Sequence, residues 1–349
     1  MTRMQTSRSI SQAIPQLPKA ELHVHLEGCM TPALLVELAR KYGEKIELGV
    51  VEEKYKTKTF TEFLELFKWA TSYLREPEDY ARLAEATALR MSEESCVYAE
   101  ITLSVGVMLL RKQNAEENFA AIREGAGRAA VAAQRGLRVQ WIFDVVRQFG
   151  AEKAMDVARI AAQMKSDGVV AFGMGGDEES LPAADFRRAF EYAAAHGLHR
   201  VVHAGEISGP ATVRDAIEIL GAERIGHGIA SIRDENLMEM LIEREIPLEI
   251  CPQSNLYTGA LAKLLSVARA RIEDHPLRTF IARGVPVTLS TDDPAMFRTS
   301  LNESYQLAHE KLGLSVAQVM DLAEASFRHA FLQENEKRKM IANLRASHR

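Results

Sequence analysis

The stretch Glu21-Leu22-His23-Val24-His25-Leu26-Glu27-Gly28 alternates apolar and polar residues and stops at a glycine. Such alternation predicts a β-strand. Residues two apart on a strand share a face, so His23 and His25 point the same way. Two imidazoles on one face at a strand end can bind a transition metal, most plausibly zinc. Residues of matching chemistry recur downstream: His203 and Glu206 in Val202-His203-Ala204-Gly205-Glu206, His227 in Gly226-His227-Gly228, and Asp292-Asp293 after Ser290-Thr291. His23, His25 and His203 supply neutral nitrogens and Asp292 a carboxylate. That set suits one Zn²⁺ with a position left for water, whose pKa the metal lowers toward neutrality. His227 is not needed as a ligand and is the candidate to aim the water or take its proton. Glu206 lies three residues past His203 and is the candidate acid for a leaving amine or a ring nitrogen. Asp293 can exchange a hydrogen bond with a substrate, and Gly176 leaves its backbone N–H open to a close ligand.

These residues need elements that bring them together. Eight β-like runs, each followed by a longer helical pattern, fall at 21–26, 97–104, 138–145, 169–176, 199–206, 223–228, 247–254 and 286–293. Most are rich in Val, Ile and Leu, as buried parallel strands are. The Ala-, Glu- and Arg-rich stretches between them favour helix. The pattern predicts an α/β fold, a (β/α)8 TIM barrel, as a single domain over 1–349. In such a barrel the C-terminal strand ends converge, and every candidate above lies at a predicted strand end. About seventy residues separate the first two strands, far more than a plain β/α unit needs. Within them Phe60, Phe63, Leu64, Phe67, Thr71 and Leu74 recur at helical spacing. This predicts a helical lid insertion over 44–80, with an apolar wall suited to a flat aromatic substrate. Asp144, after Trp141-Ile142-Phe143, is a core-strand residue near the site.

Other classes are excluded. No Gly-x-Gly-x-x-Gly follows a strand, so a dinucleotide fold is not expected. Two-metal sites on this fold often use a carboxylated lysine ending strand four, and 169–177 holds no lysine, so one metal is favoured. His25-Leu26-Glu27 matches half of the cytidine-type zinc deaminase signature, but no Pro-Cys-x-x-Cys follows. The net charge of −5 argues against a nucleic-acid partner. No apolar run reaches membrane-span length. Cys29, Cys96 and Cys251 are odd in number and widely spaced, which suits a reducing cytoplasm. Residues 1–14 read as a flexible terminus. Oligomeric state is left open.

The motifs together resemble the adenosine/adenine deaminases of the amidohydrolase superfamily, nearest the adenosine type. The resemblance rests on residues 18–28, Gly176-Asp177-Glu178, Val202-His203-Ala204-Gly205-Glu206, Arg224-Ile225-Gly226-His227-Gly228, Cys251-Pro252 and Ser290-Thr291-Asp292-Asp293-Pro294. It implies a zinc-bearing barrel that replaces the 6-amino group of a purine nucleoside with oxygen. It implies that His23, His25, His203 and Asp292 hold the metal, Glu206 protonates N1, and His227 orients or deprotonates the water. Asp293 would meet N7, the Gly176 N–H would meet N3, and His25 and Glu27 would lie at the substrate. Adenosine deaminases of this family usually carry Asp where this chain has Glu27, the residue that reaches the ribose 5′-hydroxyl. The adenine branch often has Glu there, but often reads Asp-His-Gly where this chain has Gly226-His227-Gly228. Adenosine, a 5′-modified adenosine such as aminodeoxyfutalosine, and adenine therefore all remain as substrates. Readings of another class are a mononuclear amidohydrolase of cyclic amides or esters and a non-catalytic nucleoside binder.

Overall fold

Eight parallel strands pair in chain order: β1 (Lys19–His25), β2 (Cys96–Leu103), β3 (Arg138–Val146), β4 (Val169–Gly175), β5 (His199–Ala204), β6 (Arg224–His227), β7 (Leu248–Ile250) and β8 (Val287–Leu289). The structure, a computed structural model, describes Ile10 and residues 12–57, 59–133 and 136–347. Helices separate successive strands, as the (β/α)8 expectation requires. Of the terminus expected to be flexible, residues 1–9 and 11 lie outside the described residues, while Ile10 and Ile14 are buried. Among the described residues no helix is long and apolar enough to cross a membrane.

The ring closes between β8 and β1 through one bridge, Val24 with Asp292. His25 N–H donates to the Asp292 carbonyl at 2.8 Å and Asp292 N–H to the His23 carbonyl at 3.0 Å. Closure of the barrel thus sets Asp292 beside the two histidines of β1. Several strands are shorter than the apolar runs suggested. β5 stops before Gly205 (φ 67°), β6 ends on His227 (φ 61°), and β7 stops where Pro252 starts a helix, Pro252–Tyr257. Hydrophobicity continues through these turns, but backbone pairing cannot continue past a left-handed residue or a proline at the first helical position.

Strand alternation divides the core. Leu22 and Val24 join the apolar layer between sheet and helices, while the opposite face of the barrel carries charge. There Arg224 (β6) pairs with Glu249 (β7) at 2.6 Å and Glu100 (β2) at 2.5 Å, and the Tyr98 hydroxyl donates to Glu100 at 2.8 Å. Phe331 lies under the Arg224 guanidinium, 3.8 Å from its ring centroid, and packs on Ile142, Ala171 and Val201.

Between β1 and β2 run α1 (Pro32–Lys41), α2 (Leu48–Lys54), α3 (Phe60–Thr71) and α4 (Pro77–Glu93). The Thr59 side chain caps α3 by accepting from Glu62 N–H. Phe63 of α3 is buried and its ring lies 5.0 Å from Phe297, which joins this helix to the turn after β8.

Candidate active site

His23 and His25 leave the same face of β1 as the alternation predicted. With His203 at the end of β5 and Asp292 after β8, they place one ligand atom each within 4.8 Å of all the others. His25 Nε2 and His203 Nε2 face each other at 3.2 Å, and Asp292 Oδ1 lies 3.2 Å from His25 Nε2 and 3.3 Å from His23 Nε2. His23 Nε2 is buried and has no hydrogen-bond partner among the described residues, which fits a nitrogen available to a metal. The cluster is oriented from behind. His23 Nδ1 lies 2.8 Å from Glu249 Oε2, which fits an Nδ1–H donated to the carboxylate and leaves Nε2 free to ligate. Ser254 Oγ donates to Asp292 Oδ2 at 2.7 Å. Close packing accounts for Gly226, where a Cβ would sit 2.7 Å from His23 Cε1. At Gly28 a Cβ would sit 1.9 Å from Asp293 Oδ1.

The acid and base candidates stand beside this cluster. His227 Nε2 is 3.6 Å from Glu206 Oε2 and 3.9 Å from Asp292 Oδ2. Burial, reinforced by the charge on Asp292 and Glu178, holds the Glu206 carboxyl well above the usual carboxylate range. Burial would raise Asp292 as well, but the adjoining His23 and His25 rings outweigh it and keep it ionised. Its neighbour Asp293 is raised by burial and by the Asp292 charge. Burial pushes His227 down to about 3, against the pull of Asp292, so the ring is neutral. Adjacent carboxyls pushed apart in this way fit a division between a candidate metal ligand and candidate proton carriers. His227 and Asp292 also both have positive φ, 61° and 70°, a backbone cost that the surrounding structure must hold in place.

The cluster opens into a cavity of about 390 Å³. Its lining includes the candidate ligands His25, His203 and Asp292 with Glu206, His227, Asp293 and Gly176. The α3 side chains Phe60, Phe63, Leu64 and Phe67 are also in the lining, so the wall expected from the insertion is in place. Glu27 is not in the lining. It is buried, its Oε1 accepts the Ser104 N–H at 3.0 Å, and its Oε2 has no hydrogen-bond partner among the described residues. A wider hollow of about 820 Å³ lined by Arg224, His329 and Phe331 has none of the ligand cluster in its walls.

Several residues of the site carried no assigned role in the sequence. Glu178 accepts from Gly205, Glu206 and Ile207 N–H (2.5, 2.8 and 3.0 Å), from Thr212 Oγ1 at 3.0 Å and from Ser208 Oγ, and so clamps the turn that bears Glu206. Thr258 Oγ1 donates to Glu206 Oε1 at 3.2 Å. Asn255 lies against His227. Asp144 lines the cavity, with burial raising its carboxyl to about 7 against the pull of His25. The one available signal was adjacency: Glu178 follows Gly176-Asp177, and Ser254-Asn255 follow Cys251-Pro252.

A closed set of eight β/α units whose strand ends hold three histidines and an aspartate defines the amidohydrolase class of metal-dependent hydrolases. Within that class the chain belongs to the adenosine deaminase family, whose sequence profile matches residues 18–347. It is 36% identical over 338 residues to the aminodeoxyfutalosine deaminase of Streptomyces coelicolor, covering 95% of this chain and 85% of that one. It is 33% identical over 328 residues to the adenine deaminase of Agrobacterium fabrum, covering 94% and 98%. The crystal structure of adenine deaminase from Arthrobacter aurescens superposes with a TM-score of 0.83 at 26% identity, covering 95% and 98%. Hydrolytic deamination of the adenosine-deaminase type follows as the reaction class.

Proposed function

We propose that this chain is a zinc-dependent deaminase of an adenosine-type nucleoside, with one zinc per chain. The observation that carries this is a four-ligand cluster sharing one cavity with the proton-bearing Glu206. His23, His25, His203 and Asp292 would hold the ion. When bound, zinc supplies Lewis acidity, which lets a water lose a proton near neutrality. Glu206 gives its proton to purine N1, which draws electron density from C6. The carboxylate left behind takes the proton of the attacking water as the C6–O bond forms. That proton then passes to the 6-amino group; as the C6–N bond breaks and ammonia leaves, the new C6 hydroxyl gives its proton to the Glu206 carboxylate, which leaves C6=O beside N1–H and restores the acid. We assign Asp293 to N7 and the Gly176 N–H to N3, as the resemblance implies.

The substrate end that distinguishes family members lies away from this chemistry. Glu27 is tied to Ser104 and stands outside the cavity lining, whereas Phe60, Phe63 and Phe67 line it. A hydroxyl there would lack the acidic partner that adenosine deaminases usually supply. We infer a nucleoside whose 5′ end is apolar. Adenine is the second reading, supported by the similarity to adenine deaminases.

An ultraviolet assay of zinc-loaded protein on adenosine, 5′-deoxy- and 5′-thio-substituted adenosines, aminodeoxyfutalosine and adenine tests this. We expect the largest kcat/KM for a nucleoside with an apolar 5′ substituent. A preference for adenine alone moves the chain to the base-specific reading. Inertness toward all of them, with zinc verified in the protein, rejects purine deamination.

A further inference from the structure

Behind His227, on the side away from Glu206, stands a buried chain of polar groups that the reaction above does not use. The Leu277 N–H donates to His275 Nδ1 at 3.1 Å, His275 Nε2 lies 3.2 Å from Asn255 Oδ1, and Asn255 Nδ2 lies 3.1 Å from His227 Nδ1. Asn255, His227 and His275 are 0%, 1% and 4% exposed, so none can turn to solvent for a partner.

The chain has a single direction. A backbone N–H can only donate, so His275 Nδ1 is an acceptor and bears no proton. The proton of that ring is then on Nε2. It points at Asn255, which must present its oxygen. The amide nitrogen is thereby turned to His227, and an amide NH₂ can only donate. His227 Nδ1 is therefore an acceptor too, and the ring proton is on Nε2. Reversing the Asn255 amide would set two donors face to face at His275 in a buried site, at a cost of roughly 1–3 kcal/mol per unsatisfied group.

We propose that Asn255 and His275 are positioning residues that lock His227 in its Nε2–H tautomer. His227 then presents a donor, not a lone pair, to the space beside Glu206 and Asp292. The distances of 3.6 and 3.9 Å to those carboxylates are too long for direct hydrogen bonds. The Nε2–H is left to hold the oxygen of the attacking water. His227 orients that oxygen and does not deprotonate it; the water's proton goes to Glu206. The catalytic meaning of the lock rests on the deaminase reading, but the lock itself does not.

The test is imidazole ¹⁵N–¹H correlation on zinc-loaded protein labelled with ¹⁵N-histidine, with His227 assigned by its loss in His227→Gln. We expect the His227 proton on Nε2 in the wild type. Asn255→Asp replaces the amide by a carboxylate that accepts from both rings. It should move the His227 proton to Nδ1 and lower kcat about 10- to 100-fold, with zinc content unchanged. A wild-type proton on Nδ1 overturns the proposal, and so does a His227 tautomer that stays put in folded Asn255→Asp. If that variant does not fold, the wild-type spectrum decides alone. Failure of every purine to turn over would reject the deaminase reading and leave the tautomer measurement standing.

Discussion

In the proposed reaction Glu206 is the residue on which the chemistry turns, and its environment favours that role. It is buried beside the ionised Asp292, and both effects favour its protonated form. Its pKa lies above that of a free carboxylate, so it keeps its proton through mildly acid pH and loses it as pH rises through the raised value. A general acid works only while protonated. The kcat profile should therefore decline on its alkaline limb, and a profile flat into strongly alkaline pH would count against the assignment. Glu206→Gln should lower kcat about 10²–10⁴-fold while metal analysis shows zinc retained, because Glu206 is outside the ligand cluster. Full activity in that variant would remove Glu206 from the mechanism.

At the scale of elements, the strand ends and the turns after them do the positioning. Glu178, just after β4, holds the turn after β5 through three backbone N–H groups. Glu178→Ala would leave Gly205 N–H its second acceptor, Thr212 Oγ1 at 3.1 Å, but would take the acceptor from Glu206 and Ile207 N–H in a part-buried turn. At roughly 1–3 kcal/mol for each of those two, urea unfolding should show a loss of at least about 2 kcal/mol. The turn carrying Glu206 should loosen as well, so kcat should fall further than zinc affinity does. An equal fall in both would mean that Glu178 supports the barrel generally and not this turn. The helix α3 acts at the same scale: its capped start and its contact with Phe297 set an aromatic wall on the cavity.

At the scale of the whole molecule, the barrel interior is held by charge where many such barrels are filled by branched aliphatic side chains. Arg224 bridges Glu249 and Glu100, and Glu249 reaches His23. A buried pair adds little net stability over an apolar core, yet breaking one leaves an uncompensated charge. Arg224→Met should cost about 3–5 kcal/mol in equilibrium unfolding. A loss below about 1 kcal/mol would show that Glu100 and Glu249 do not depend on it. The segment after the helix Val316–Arg328 completes this arrangement, because the His329 carbonyl accepts from Arg224 at 3.0 Å and the Phe331 N–H donates to Glu100 at 2.6 Å.

The sequence by itself determined the eight strands, their parallel order and the placement of His23, His25, His203, His227, Glu206 and Asp292 at strand ends. These follow from period-two alternation and β/α spacing, which are local properties of the chain. It did not show Glu178 as a clamp, Asn255 and His275 as a polar chain behind His227, or Arg224 as a partner of Glu249. Those roles depend on contacts across 20 to 124 residues of chain, as between His275 and Asn255 or Arg224 and Glu100, and alternation carries no information on such pairs. Nor did it show that Glu27 would turn to Ser104, since a strand-end carboxylate can face either the cavity or the neighbouring backbone. Local pattern fixes which face a side chain leaves from. Closure of the barrel, which brings Asp292 against β1, decides what it meets there.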